Sequence, residues 1–171
     1  VPMTSEIASL GKRTVTVNIP AKVPLLLMGY NVPSLKTAKH RWQVYALDVL
    51  TGILGGDQSS RFARELVRGV QVASSANADY DPFSRLDSLV VLSGIPVKKD
   101  SISDLQKAFE KQIKQLQTDL VSKQELQRVK AQVIAAKVYN RDSIVNQASE
   151  IGAMVSVGLP ISTIDSYTQH I

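Results

Sequence analysis

Cysteine is absent from the 171 residues, so the chain has no disulfide framework, no thiolate nucleophile and no thiolate metal site. Histidine is nearly absent. His40 and His170 stand far apart, and neither has a second ligand one helical turn away, so the sequence holds no pattern for the converging ligands of a zinc hydrolase. Aromatic residues make up 5% of the chain, too few for a stacking stripe along single-stranded nucleic acid. The longest strongly apolar runs, 23–28 and 89–92, fall far short of the roughly 20 residues of a membrane-spanning helix. No G-x-S-x-G elbow activates a serine. The chain opens at Val1 without an initiator Met, which leaves room for an upstream targeting segment and argues for no compartment.

What remains is an ordinary globular composition, 44% hydrophobic and 20% charged. A chain of this length buries about two-thirds of its unfolded surface and needs no metal or disulfide staple to fold. The net charge of +5 invites a phosphate-binding reading. The lysines, however, are interleaved with Asp and Glu along predicted helix faces, and no nucleic-acid partner is expected.

Residues 1–12 mix Pro, Thr, Ser and Gly without periodicity and read as a linker or tail, leaving 13–171 as a single domain. Thr14–Ile19 alternates, with Val15, Val17 and Ile19 on one face, and predicts a half-buried strand. Leu25–Val32 is almost wholly apolar and predicts a strand covered on both faces or central in a sheet. Trp42, Tyr45, Val49, Leu50 and Ile53 fall on one helical stripe between His40 and Leu54. A second helix is expected at 60–68, then strands at 72–80 and 86–96. From Ser101 the spacing of Leu105, Phe109, Ile113, Leu116 and Leu120 predicts a long amphipathic helix. Ser122 to Glu125 reads as a capping box for the next one. Further helices follow at 144–157 and, capped by Ser162, to Ile171, so the domain is expected to be truncated at its C-terminal end. The order β-β-α-α-β-β followed by helices predicts an α+β two-layer sandwich, with a mainly antiparallel or mixed sheet and helices packed on one face.

The stretch Gly-Gly-Asp-Gln-Ser-Ser, 55–60, raises a phosphate-loop reading that its context rejects. A phosphate loop follows a strand and supplies a Lys-Ser/Thr pair, whereas this turn follows a helix and contains no Lys. It reads instead as a structural turn. Gly55 and Gly56 end the first helix with a left-handed residue, and Ser59 or Ser60 caps the second.

Four ordered pieces carry a resemblance. "YALDVLTGILGGDQSSRFARELVRGVQVASSANADYD", "GIPVKKD", "VSKQELQRVKAQVIAAKV" and "VGLPISTIDSY" resemble, in that order, the C-terminal domain of the pitrilysin/insulinase zinc-peptidase family, which includes mitochondrial processing peptidase and the core proteins of respiratory complex III. The resemblance implies the fold shared by LuxS and mitochondrial processing peptidase. In that family one domain carries H-x-x-E-H, and a second of similar fold closes over the substrate without metal. This chain has no H-x-x-E-H and matches the second kind. The resemblance therefore implies no catalytic residue, metal ligand or cofactor here, with zinc in an upstream domain of the parent polypeptide. Many relatives also hold the substrate backbone with an Arg and a Tyr seven residues apart, at the positions of Val67 and Ser74, where neither is retained. The Leu-Val-x-x-x-Gln-x-Ala-x-Ser pattern of Leu66–Ser75 is similar to the zinc-bearing subunit of bacterial two-chain members, whose homologous second subunit brings the Arg and Tyr.

The function so implied is a non-catalytic, substrate-enclosing domain of a zinc endopeptidase subunit. Its partners are the upstream catalytic domain, a homologous second subunit and an unfolded peptide held by strand addition. The alternative is a catalytically inactive scaffold of similar fold, like the complex III core subunits. An H-x-x-E-H before Val1 separates the two. Similarity to exported bacterial relatives favours a periplasmic or exterior membrane-associated setting.

Overall fold

The computed structural model describes residues 11–140 and 142–171; the expected tail at 1–12 lies mostly outside them. The sheet is built on β3 (Ser88–Pro96), which pairs antiparallel with β1 (Leu26–Val32) on one side and β2 (Ala73–Tyr80) on the other, in the order β1-β3-β2. Pairing sets Leu26, Gly94 and Ala76 in one row, Met28, Leu92 and Ala78 in the next, and Tyr30, Val90 and Tyr80 in a third. Because side chains alternate across a strand, these rows share one face. Helices α1 (Trp42–Gly55) and α2 (Ile102–Thr118), with a π-helix (Phe62–Gly69) between them in sequence, cover that face. The main core joins Leu54, Phe62, Leu66, Leu105 and Phe109 to Ala76, Ala78, Val90 and Leu92. Phe62 and Phe109 stack with centroids 4.7 Å apart. The opposite face stays open, and Leu27, Asn77, Asp79 and Leu89 on it are exposed. This is the α+β two-layer arrangement with helices on one face.

α3 (Lys123–Asn140) packs on the other side of α1, where Val49, Ile53 and Val129 form a second cluster. α4 (Ile144–Val157) and the short α5 (Ser162–Tyr167), with a 3-10 turn at Thr168–His170, return the chain to α1. There Tyr167 joins Leu35, Val44 and Tyr45. The caps are local chemistry. Ser101 Oγ accepts from Asp104 N–H while the Asp104 carboxylate accepts from Ser101 N–H, a complete capping box. Ser143 Oγ accepts from Asn146 N–H, and Gly158 closes α4 at φ 74°, a left-handed value that glycine adopts without steric cost.

Five expectations need correction. Thr14–Ile19 is not a strand: it lies outside the ladders, and its Val15, Val17 and Ile19 are exposed, because alternation marks a strand's faces without supplying a neighbour. The described sheet therefore has three strands, not four. β1 is an edge strand rather than a covered one, and Leu27 is 62% exposed. Trp42, at the first turn of α1, projects out of the predicted stripe and is 66% exposed. Ser122 does accept from Glu125 N–H, but the Glu125 side chain turns away to an arginine and leaves the capping box half made. Ser162 makes no side-chain cap; α5 begins with Ile161 at its N-cap and tightens to 3-10 geometry by Thr168.

Candidate functional site

The glycine turn joins α1 to the π-helix, and its first residue is needed for a reason other than the one expected. Gly55 is the last helical residue and Gly56 caps it at φ −70°, so neither is left-handed. A Cβ on Gly55 would lie 2.2 Å from the backbone nitrogen of Ala78, so glycine lets α1 come into contact with β2. Asp57 then folds the turn, its Oδ1 accepting from Ser59 N–H at 2.8 Å and from the Ser59 hydroxyl at 2.7 Å. Ser60 is buried; its Oγ accepts from Ala63 N–H at 3.4 Å and its carbonyl from Arg64 N–H at 3.0 Å. The helix it starts is wide, as the Val70 N–H to Glu65 carbonyl bond of 2.9 Å shows.

The three arginines beside the turn are all engaged within the protein. Arg61 reaches Glu125 of α3 through two parallel bonds of 3.1 and 2.8 Å. Arg64 pairs with Glu65, and Arg68 donates to both oxygens of Gln58. From α3, Arg128 donates to the hydroxyl of Ser59 and lies 3.8 Å from Asp57, while Gln132 donates to the other Asp57 oxygen. Burial pushes the Asp57 carboxyl up, but the Ser59 bonds, Arg128 and Gln132 outweigh it and hold it below the usual carboxylate range. The two-point bond from Arg61 likewise lowers Glu125, against its burial. Arg128 and Gln132 escaped the sequence reading, since on a helix 69 and 75 residues along the chain from the partners they bond they look like any solvated face.

Val67 lies on the π-helix, partly buried against the main core. Ser74 lies in a β-bulge where the β2–β3 register shifts between Ala73 and Ser75, and its hydroxyl donates to the Ile95 carbonyl at 3.1 Å. Neither offers a cation or a ring. Just before the bulge, Gln71 has φ 55°.

Among the described residues β2 pairs only with β3, so its other edge has no strand in the ladder. A groove of about 310 Å³ runs there, between the strand, α1 and α3. Consecutive residues Ala78, Asp79 and Tyr80 line it although they point to alternate faces, so it opens on the strand's edge. Gly56 and Asp57 form one end and Gln132 and Lys137 a wall.

The residues present do not fit a zinc ion. Among the described residues no group of three His, Asp or Glu converges. His170 is held by Tyr45, stacked 5.1 Å away, and by the Ser166 carbonyl 2.7 Å from Nδ1. No helix is long and apolar enough to cross a membrane among the described residues.

A sequence model of the family described as Peptidase M16 inactive domain matches residues 1–133. No curated protein matches the chain. Among solved structures, a protease from Helicobacter pylori is 26% identical and superposes at a TM-score of 0.74 over 85% of this chain and 34% of its own, so the chain spans about a third of that protease. The inactive peptidase domain of a candidate zinc protease from Bordetella parapertussis, 16% identical, superposes at 0.74 over 91% of this chain and 81% of its own. A candidate zinc protease from Bordetella pertussis Tohama I, also 16% identical, does so at 0.70 over 85% and 77%.

Proposed function

The chain belongs to the peptidase M16 inactive domain family, and from that premise we propose that it encloses unfolded peptide against a zinc-bearing catalytic domain of the same polypeptide. The observation that carries this reading is the free β2 edge beside its groove. An extended peptide laid along Ala76–Tyr80 gains main-chain hydrogen bonds whatever its sequence, which suits a domain that holds substrates rather than reads them. The groove between α1 and α3 gives side chains of such a peptide a place to enter.

Hydrolysis belongs to the catalytic domain; this chain's part is to hold and orient. Its hold is incomplete, because Val67 and Ser74 supply neither the cation nor the ring that grips the substrate in relatives. A homologous second subunit bringing an Arg and a Tyr completes it. The test compares kcat/KM on an unfolded peptide for the full-length subunit, alone and with that neighbour. A rise of ~10-fold or more on adding the neighbour is expected, the scale of one or two lost hydrogen bonds to charged groups. Equal activity alone would show that the subunit completes its own site.

A further inference from the structure

We propose that the exposed run Lys39–Trp42 at the start of α1 docks the protein on an anionic membrane surface, the Trp42 indole entering the headgroup layer while Lys39 and Arg41 meet lipid phosphates. Trp42 is the chain's only tryptophan, and a side chain of that size is normally well covered. Here it is 66% exposed, and Lys39, His40 and Arg41 before it are exposed as well. No ion pair among the described residues engages Lys39 or Arg41. The fold gains nothing from charge at this place. α1 starts without a side-chain cap and without an acidic residue in its first turn, and cations there oppose the helix dipole.

The distribution of charge along the chain points the same way. Residues 7–47 hold six Lys and Arg and no Asp or Glu, whereas the rest of the chain holds 14 basic and 15 acidic side chains. The net charge of +5 therefore resides in this stretch, and its field turns the stretch toward an anionic surface on approach. Within it Lys12 is paired with Glu110 and Lys36 donates to the Val157 carbonyl, while Lys39 and Arg41 stand unpaired beside the ring. A bilayer suits this patch better than a macromolecule. Single-stranded nucleic acid asks for a row of rings, and there is one. A stable protein interface buries about 800 Å² on each partner, and an indole supplies at most about 250 Å². A headgroup layer takes tryptophan singly, at the level where polar and apolar regions meet, and draws Lys and Arg by charge. None of the four residues lines the β2 groove, so docking leaves that groove accessible.

Because Trp42 is the sole tryptophan, its emission in the full chain reports this one place. Vesicles of mixed phosphatidylcholine and phosphatidylglycerol should shift it to the blue, and vesicles of phosphatidylcholine alone should not. Salt at about 1 M, where the screening length is about 3 Å, should reverse the shift. In co-sedimentation with the mixed vesicles, Lys39→Glu with Arg41→Glu, and separately Trp42→Ala, should each weaken binding ~10-fold or more. Lys98→Glu with Lys99→Glu changes the net charge equally, at exposed positions beyond the end of β3 that lies away from Val32. That variant should bind within ~2-fold of the native chain. Emission unmoved by the mixed vesicles, an equal shift with phosphatidylcholine alone, or an equal loss in the Lys98 and Lys99 variant would each overturn the proposal. So would emission that shifts only as the chain itself is concentrated, which would put a second copy on the patch.

Discussion

A single carbon decides what can stand at position 55. Alanine favours a helix over glycine by about 1 kcal/mol, yet the Cβ it adds would press on the Ala78 backbone at 2.2 Å, and backbone yields less than a flexible side chain. Gly55→Ala is expected to destabilise by about 1–3 kcal/mol, the cost of overpacking. Gly152 is the converse. It also lies inside a helix, α4, but a Cβ there meets nothing within 4 Å, so Gly152→Ala should stabilise by about 0.5–1 kcal/mol. Urea unfolding of both variants checks the pair, and the same sign for both would refute the close approach of α1 to β2. The Arg61–Glu125 pair carries a pH signature. Its Glu125 carboxyl is held below its ordinary value of 4.5 in the folded state, so its stabilisation is complete above that value and disappears as pH falls through the lowered one. Glu125→Gln should lose about 1–3 kcal/mol at neutral pH and converge with the native chain in acid. Parallel stability curves from pH 7 to 3 would exclude the linkage. The turn's position was legible at this scale and its conformation was not, since Gly-Gly after a helix looks the same whether glycine is needed for its φ or for its missing carbon.

Among the elements, those with a strong internal period were readable. Leu105 and Phe109 mark the buried stripe of α2, and β3 alternates between Val90, Leu92 and Gly94 inward and Leu89 outward. Elements whose form depends on a neighbour were not: Thr14–Ile19 has the pattern of a strand but no ladder, and β1 is apolar yet at an edge. α3 is fixed to the turn by Arg61–Glu125, Arg128 and Gln132 as well as by Val129, a polar seam that no local period announces. α4 has less apolar packing than α1 or α2, and Lys36 donates to the Val157 carbonyl at its end. Only its Met154 is buried, while Ile144, Val145 and Val155 are exposed. Hydrogen exchange should therefore find α4 opening at a lower free energy than α1 or α2, well below global unfolding. Equal protection across the three helices would mean that α4 is held by something other than its own packing.

At the level of the molecule, the scarcity of metal ligands sets an expectation that can be measured. With two histidines, one already engaged with Tyr45 and Ser166, the purified chain should retain no stoichiometric zinc after dialysis and cleave no unfolded peptide. One zinc tightly held per chain would remove it from the non-catalytic role. The free β2 edge and its groove were not legible, because they arise from strand order and from α3 lying where it does. The π-helix adds a consequence of a historical kind. Its i→i+5 bonding accommodates one inserted residue relative to an α-helix, so losing one residue between Phe62 and Gly69 would restore ordinary winding without breaking the chain's path. Such a deletion would swing Val67 and Arg68 around the helix axis and detach Arg68 from Gln58. Descendants and ancestors of this domain that differ by one residue here would thus present different side chains toward β2, and a gain or loss of grip could arise by an indel rather than by substitution.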